Sequence, residues 1–145
     1  MTKLNQNDPY IPLILYIDYI NAEYNKYLKK NFENITPRDF SYLINIFYHP
    51  NISQRELSDL LIVSEANVGQ IVKRLEKNGL IYREFDKQNK SRRLITLTDN
   101  GEKVVLSLFD MTQLWEKNFF KNYPPDDENK FREMISDYYQ KSINE

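Results

Sequence analysis

The 145-residue chain contains no cysteine, a single histidine and only three glycines. Without cysteine it can form neither a disulfide framework nor a thiol-based oxidation sensor. The single histidine, His49, leaves too few nitrogen ligands for a zinc site, so we expect it to cap helix carbonyls or to be exposed. There is also no glycine-rich phosphate loop and no histidine-based triad. We therefore predict no metal, no cofactor and no enzymatic activity.

Long apolar runs are missing as well. The longest candidate, residues 10–20, is interrupted by Pro12 and Asp18 and lacks a basic leader and a small-residue cleavage site. It is also too short to span a bilayer. We therefore predict neither a signal peptide nor a membrane anchor, which favours the cytoplasm. Residues 1–9 are polar and are expected to be irregular.

The most informative stretch is residues 52–98, which predicts two short helices, a tight turn between them, and then two strands. In the first helix, Ser53 and Glu56 have the spacing of a capping box, in which each residue's side chain bonds the other's backbone N–H. Leu57, Leu60 and Leu61 are expected to form its apolar stripe. This arrangement is typical of a DNA-binding unit.

The second helix is predicted over residues 65–78, after a Ser64 N-cap and before a stop at Gly79. One set of apolar residues follows helical spacing and is expected to face the core: Val68, Ile71, Val72 and Leu75. The opposite face carries amides first and cations further along. Asn67 and Gln70 are therefore candidates for contacts with adenine edges.

Cations concentrate in and after this second helix. Between residues 73 and 93 there are eight lysines and arginines but only three acids, although the whole chain has a net charge of −1. Such a local excess is typical of a surface that binds a polyanion, whereas the plain alternative is a solvated face. The residues predicted to contact phosphates or the minor groove are Lys73, Arg74, Lys87, Lys90, Arg92 and Arg93.

Two strands, residues 80–83 and 94–97, are predicted from their β-branched and aromatic character. The loop between them, residues 84–93, is polar and basic. It is expected to lie across the DNA backbone or in the minor groove, where narrow A·T tracts attract cations. The alternative for this loop is a solvated hairpin end.

Further helices are predicted on both sides of this unit. One runs from Pro12 to about Lys30, and a second begins at Thr36-Pro37 and ends at His49-Pro50, with an inner face of Phe40, Leu43, Ile44, Phe47 and Tyr48. Two more follow Gly101 and Asp126. The first of these is apolar over more than half of its circumference, and the inner face of the last is expected to contain Phe131, Met134, Ile135 and Tyr138.

The fold class predicted is mainly α with a small β-hairpin. A winged helix-turn-helix core at residues 36–100 is flanked by dimerisation helices at residues 10–34 and 102–145, within one domain of residues 1–145. The terminal helices have more apolar surface than one chain can cover, which favours a two-fold homodimer; the alternative is a single-chain helical core. A dimer would set two recognition helices roughly 34–36 Å apart and require an inverted-repeat site.

Several segments of this sequence resemble the MarR-type winged helix-turn-helix transcription regulators. The resemblance is close from residue 36 to residue 101, through TPRDFSYLINIF, SQRELSDLL, VKRLEKNGLI and RRLITLTDNGEKVV. It implies a homodimeric regulator that binds double-stranded DNA, and we expect a repressor. The family usually carries Asp-x-Arg in the wing, with the arginine in the minor groove. Asn89 and Ser91 stand at those positions here, and Lys90, Arg92 or Arg93 could replace the arginine.

Members of the resembled family often bind small aromatic compounds where the dimer helices meet the DNA-binding lobe. The resemblance therefore suggests an aromatic effector and a cleft with apolar walls and a few hydroxyls. The residues that could line such a cleft are Tyr16, Tyr19, Tyr24, Phe47, Tyr48 and Trp115. The alternative for these aromatic residues is ordinary core packing. Two other functions also remain open: a protein-interaction adaptor that does not bind DNA, and a protein that sequesters small molecules.

Overall fold

The computed structural model describes Asn5, Asn7 and residues 10–145, so the expectation for residues 1–9 falls mostly outside it. Over the described residues the chain forms six helices and three strands. The helices are α1 (Leu13–Asn31), α2 (Pro37–Tyr48), α3 (Gln54–Leu61), α4 (Glu65–Lys77), α5 (Asp99–Phe120) and α6 (Asp127–Ser142). The strands are β1 (Ile52–Ser53), β2 (Ile81–Phe85) and β3 (Arg93–Leu97). The prediction of a mainly α fold with a small β element is confirmed.

The chain divides into two compact units, Met1–Glu102 and Lys103–Glu145, with the boundary in the first turns of α5. The first unit contains α1 to α4 and the sheet. The second contains the rest of α5 and all of α6.

Helix α2 begins as predicted, after Thr36 and with proline in the first helical position, and Thr36 and Asp39 also form a complete capping box. Its buried face differs from the prediction. Tyr42 and Ile46 are buried, whereas Tyr48 is 63% exposed. The reason is that α2 packs on α1 and β3 through a face centred near Leu43, and Tyr48 lies on the last, uncovered turn. Burial raises the pKa of the Tyr42 hydroxyl.

Helices α3 and α4 form the predicted helix-turn-helix. Ser53 and Glu56 make the complete capping box of α3, and Leu57 is fully buried. The predicted stripe is only partly right, because Leu60 is 44% exposed. A two-turn helix presents only one narrow face to its neighbours, and Leu60 lies beside that face. Ile62 then ends α3 with φ 54°, in the left-handed region.

The sheet has the order β1-β3-β2 and is antiparallel throughout. β1 was not predicted; two residues are too short to give an alternation pattern, and only pairing with β3 makes them a strand. β2 and β3 pair as far as Phe85 opposite Arg93. The wing loop therefore spans residues 86–92, shorter than the predicted 84–93.

The chain passes from the wing into α5 through one threonine. The Thr98 hydroxyl donates to the Gly79 carbonyl oxygen at 2.6 Å and accepts the Gly101 N–H at 3.1 Å. It thus caps the new helix and ties it to the end of α4. For this reason α5 begins at Asp99, two residues before the predicted start at Gly101.

The terminal helices leave most of their apolar residues exposed. In α1, Leu28 is the only residue that is fully buried, whereas Leu13, Ile17 and Ile20, which share its helical spacing, are 37–64% exposed. In α6 the whole predicted inner face is exposed, from Ile135 at 44% to Met134 at 71%. None of the helices described is both long and apolar enough to cross a membrane.

Candidate nucleic-acid interface

Helix α4 has one buried face and one polar face. Val68, Ile71, Val72 and Leu75 are between 0% and 5% exposed, as predicted, and Ser64 caps the helix by accepting the Asn67 N–H at 3.2 Å. Asn67, Gln70 and Lys73 are all exposed. Because residues three and four apart are neighbours on a helix surface, these side chains form one continuous row. The structure thus brings the two predicted base-reading amides together.

Arg74 lies beside this row but is not a free cation. Its guanidinium donates to the carboxylate of Asp39, and the two side chains are 48% and 5% exposed. Asp39 stands at the start of α2, where it also caps that helix. The ion pair therefore joins α4 to α2. The sequence does not predict this pair, because no local pattern connects residues 35 positions apart.

Arg92, at the base of the wing, is engaged in the same way. It donates to Glu56 of α3 at 2.6 Å and lies 3.5 Å from the carboxylate of Asp86. Glu56 in turn accepts the Ser53 N–H at 2.8 Å. These contacts lower the pKa of Glu56 to about 2, through the Ser53 backbone N–H first and the Arg92 guanidinium next.

Two more arginines of the basic stretch contact neighbouring side chains. Arg83 donates from Nε at 3.0 Å and from Nη2 at 2.6 Å to one oxygen, Oε2, of Glu76 on α4. Arg93 lies over the ring of Phe85, its cross-strand partner, with 4.7 Å between the guanidinium carbon and the ring centroid. The ring holds the guanidinium flat but leaves its N–H donors available to a ligand.

Removing the ion-paired arginines leaves a smaller set of available cations. In the part of the chain that the structure describes, five lysines and arginines between residues 73 and 93 make no ion pair within 4 Å. All five are exposed. They are Lys73, Lys77, Lys87, Lys90 and Arg93, and we call them the available cations.

The tip of the wing is a turn built by Asn89. Its side-chain oxygen accepts both the N–H of Ser91 at 3.1 Å and the Ser91 hydroxyl at 2.6 Å, and its carbonyl accepts the Arg92 N–H at 2.9 Å. Asn89 and Ser91 are thus used in shaping the loop. Lys90, between them, is exposed at the tip.

The predicted effector residues lie in both units. In the first unit Tyr16 and Tyr19 are about two-fifths exposed and Tyr24 is half-buried; Phe47 packs edge-on against Tyr48 with 5.4 Å between ring centroids. In the second unit Trp115 packs edge-on against Phe119 at 4.7 Å. Their role in ligand binding stays a prediction.

His49 caps a helix, which was one of its two predicted roles. Its Nδ1 lies 2.9 Å from the carbonyl oxygen of Asn45 at the end of α2. Among the described residues, no three histidine, aspartate or glutamate side chains are grouped as a metal site would require.

Comparison with known proteins connects this arrangement to a family. Residues 35–92 match the model of the MarR family. The chain is 24% identical over 102 residues to the transcriptional regulator HosA of Escherichia coli O127:H6. The aligned segment covers 70% of this chain and 76% of HosA.

Solved structures with the same fold extend the likeness beyond that segment. A crystal structure of MarR superposes with a TM-score of 0.87 at 23% identity, covering 99% of this chain and 97% of the other. A mutant of S. aureus MepR bound to an oligodeoxyribonucleotide gives a TM-score of 0.63 at 20% identity, covering 89% and 94%. The family match at residues 35–92 contains α2 to α4 and the wing loop, and with them Asn67, Gln70 and every available cation except Arg93. The chain therefore resembles the MarR family in sequence over residues 35–92 and has the fold of the MarR structures.

Proposed function

We propose that the protein is a transcriptional repressor that binds an inverted-repeat site in double-stranded DNA as a homodimer. Helix α4 enters the major groove and the wing lies on the backbone or in the minor groove. This proposal rests on the exposed side chains of Asn67 and Gln70 on α4. They lie beside the available cations, which make no ion pair within the described residues. Such a regulator works where the genomic DNA is, in the cytoplasm.

The roles of the side chains follow from their chemistry. The side-chain amide of Asn67 or Gln70 can accept a hydrogen bond from N6 of adenine and donate one to N7. Both residues are therefore assigned to base readout. Lys73, Lys87 and Arg93 are assigned to phosphates, which fix register without reading sequence. Lys90 is assigned to the minor groove, because it is the cation at the tip of the wing.

The homodimer is supported by apolar surface that the single chain leaves in water. In α6, Phe131, Met134, Ile135 and Tyr138 have the i, i+3, i+4, i+7 spacing of a packing face, and all are 44–71% exposed. In α1, Leu13, Ile14 and Ile20 are more than half exposed. Contiguous apolar rows of this kind mark association surfaces. A two-fold axis would let each chain cover the same rows on its partner.

An aromatic effector is part of the proposal. Tyr16, Tyr19 and Tyr48 offer hydroxyls on exposed rings, and Trp115 supplies an intrinsic probe. An effector acts only through different affinities for two conformations, one of which fits DNA. Titrating a series of simple phenols while recording tryptophan emission tests binding. Saturable quenching together with weakened DNA binding is expected, and quenching without any change in DNA affinity would contradict the regulatory role.

The decisive experiment is selection of bound fragments from a pool of random duplexes. We expect a two-fold symmetric consensus with half-sites one helical turn apart, roughly 34–36 Å, bound by two chains. Affinity should fall with salt at a slope of about −0.9 for each phosphate contacted. Enrichment of no sequence, combined with salt-independent binding to other proteins, would instead identify an adaptor that does not act on DNA.

A further inference from the structure

Two carboxylates outside the proposed DNA-contact surface each perform two tasks. Asp39, the third residue of α2, accepts the Thr36 N–H with Oδ2 at 2.9 Å and the Arg74 guanidinium with Oδ1. Glu56, the third residue of α3, accepts the Ser53 N–H with Oε2 at 2.8 Å and the Arg92 guanidinium with Oε1 at 2.6 Å. In both cases one oxygen caps the residue's own helix and the other holds an arginine from a distant segment.

The two arginines come from the two elements assigned to DNA. Arg74 is on α4 and Arg92 is at the end of the wing loop, 35 and 36 positions away from their partners. A carboxylate fixed by its own cap has little rotamer freedom left to lose. An arginine fork is also pre-organised, so less freedom is lost for each hydrogen bond it forms. Each pair is thus a rigid connection between a capped helix and one DNA-facing element.

We propose that Asp39 and Glu56 are positioning residues, which fix α4 and the wing, through Arg74 and Arg92, in the relative placement that one DNA duplex requires. This inference rests on the proposed function. It also changes the role of both arginines, which the sequence assigned to phosphates or the minor groove. Both guanidinium groups form ion pairs within the protein, so phosphate contacts are assigned to the available cations.

Neutralising the two acids tests this proposal, because a positioning role and the loss of charge alone predict opposite changes in affinity for DNA. Asp39→Asn and Glu56→Gln each remove a negative charge near the proposed interface, which by charge alone would strengthen binding to DNA. If the acids position α4 and the wing, binding to a duplex selected by the wild type should instead weaken by about two- to fivefold for each variant. An unchanged or tighter complex would overturn the proposal.

The chain offers a matched control in Glu84. This acid is exposed on β2 and makes no ion pair within the described residues. Glu84→Gln should therefore show the charge effect alone, with equal or tighter binding. Asparagine and glutamine keep an oxygen that can accept the backbone N–H of the cap. Unchanged helix content by circular dichroism confirms that the variants are folded.

Salt dependence separates the anchored arginines from the available cations. Lys73→Met and Lys90→Met should each reduce the slope of log affinity against log salt by about 0.9, since each removes one phosphate or groove contact. Arg74→Met and Arg92→Met should lower affinity with little change in slope. A slope reduced equally by Arg74→Met would make Arg74 a phosphate contact and refute the assignment. These two arginine variants also keep the test open if Asp39→Asn does not fold.

Hydrogen exchange in the free protein makes the result independent of DNA binding. Glu56→Gln and Arg92→Met should each speed amide exchange in residues 86–92 by a similar factor, about two- to fivefold, and the double variant should add little. Additive effects, or no effect, would overturn the anchoring of the wing. Absence of binding by the wild type to any duplex would refute the proposed function, while the exchange data would still decide whether the anchors exist.

Discussion

The carbonyl oxygen of Leu80 occupies the space that a Cβ on Gly101 would need. Leu80 follows the end of α4, and Gly101 lies in the first turn of α5. The Leu80 carbonyl also accepts the Thr98 N–H at 3.0 Å. This close backbone contact therefore holds together the end of α4, the end of β3 and the start of α5. It leaves no room for a side chain at position 101.

Gly101→Ala is accordingly expected to destabilise the protein strongly. The new methyl would collide with backbone, which cannot move aside as a flexible side chain can. We expect a loss of about 1–3 kcal/mol or more, in spite of the gain of about 1 kcal/mol that alanine brings inside a helix. Urea unfolding at fixed protein concentration measures the difference.

Gly69→Ala is the control for this substitution. Gly69 lies within α4, and an added Cβ would meet only the terminal nitrogen of Gln54, at 3.2 Å. Because that side chain can move, the helix-propensity gain of up to about 1 kcal/mol should remain. Equal losses at the two glycines would show that crowding at Leu80 is not the cause.

The left-handed conformation of Ile62 is a source of strain that can be removed. Its φ is 54° and its side chain is 92% exposed, so burial does not offset a left-handed cost of about 1–2 kcal/mol. Ile62→Gly relieves that strain, but adds freedom to the unfolded chain, at a cost of about 0.4–1 kcal/mol. We expect a net gain of about 0.5–1 kcal/mol from these two terms, measured by urea unfolding.

Asn51→Gly provides the contrast, since Asn51 also has a positive φ, of 64°. Asparagine tolerates that region, and its side-chain oxygen accepts the Thr96 hydroxyl at 3.0 Å. Replacing it should therefore cost stability. A gain at position 51 or a loss at position 62 would contradict the strain argument.

Glu56 makes stability depend on pH in an acidic window. Its folded-state pKa is about 2, against an ordinary value of 4.5. Since the folded state favours the carboxylate, the contribution is complete above pH 4.5 and is lost as pH falls toward 2. The side chain is 53% exposed, so solvent screening limits the effect to below about 1 kcal/mol.

The measurement compares urea midpoints of the wild type and Glu56→Gln across this window. The variant has no carboxyl at that position to titrate, so the difference should shrink steadily on acidification. A difference that stays constant from neutral pH to pH 2, or that grows, would show that the contacts of Glu56 do not favour its ionised form.

Gln70 and Lys73 should have different effects on DNA recognition, although they are neighbours on α4. Gln70→Ala should relax preference at one base position of a selected site, at a cost of about 1–3 kcal/mol. Lys73→Ala should weaken binding to specific and random duplexes alike. It should also reduce the slope of log affinity against log salt by about 0.9. Competition binding with single-base variants of the site distinguishes them. Equal losses on all sequences for both substitutions would refute the division of roles.

The apolar row of α6 should control assembly. Met134 is 71% exposed and Ile135 is 44% exposed, so glutamate at these positions should disturb the folded chain little. A charge within an apolar two-fold contact is far more costly. We expect the wild type to sediment at twice the chain mass of 17.5 kDa and Met134→Glu/Ile135→Glu to dissociate. A monomeric wild type would remove the dimer from the proposal.

Much of the first unit could be predicted from the sequence because its signals are local. The caps at Thr36, Ser53 and Ser64 depend on spacings of three residues, and all three are present. The buried stripe of α4 follows from helical periodicity. The errors lie where coverage by other elements decides: the exposure of Tyr48 and Leu60 depends on which neighbours reach them.

The sequence by itself determined where helices begin, which face of α4 is polar, and that positive charge gathers between residues 73 and 93. Only the tertiary structure decided which of those charges are available. Arg74 and Arg92 look like their neighbours in the sequence, yet each meets a carboxylate more than 30 positions away. Helical and strand patterns act over a few residues, whereas an ion pair depends on how separate elements pack.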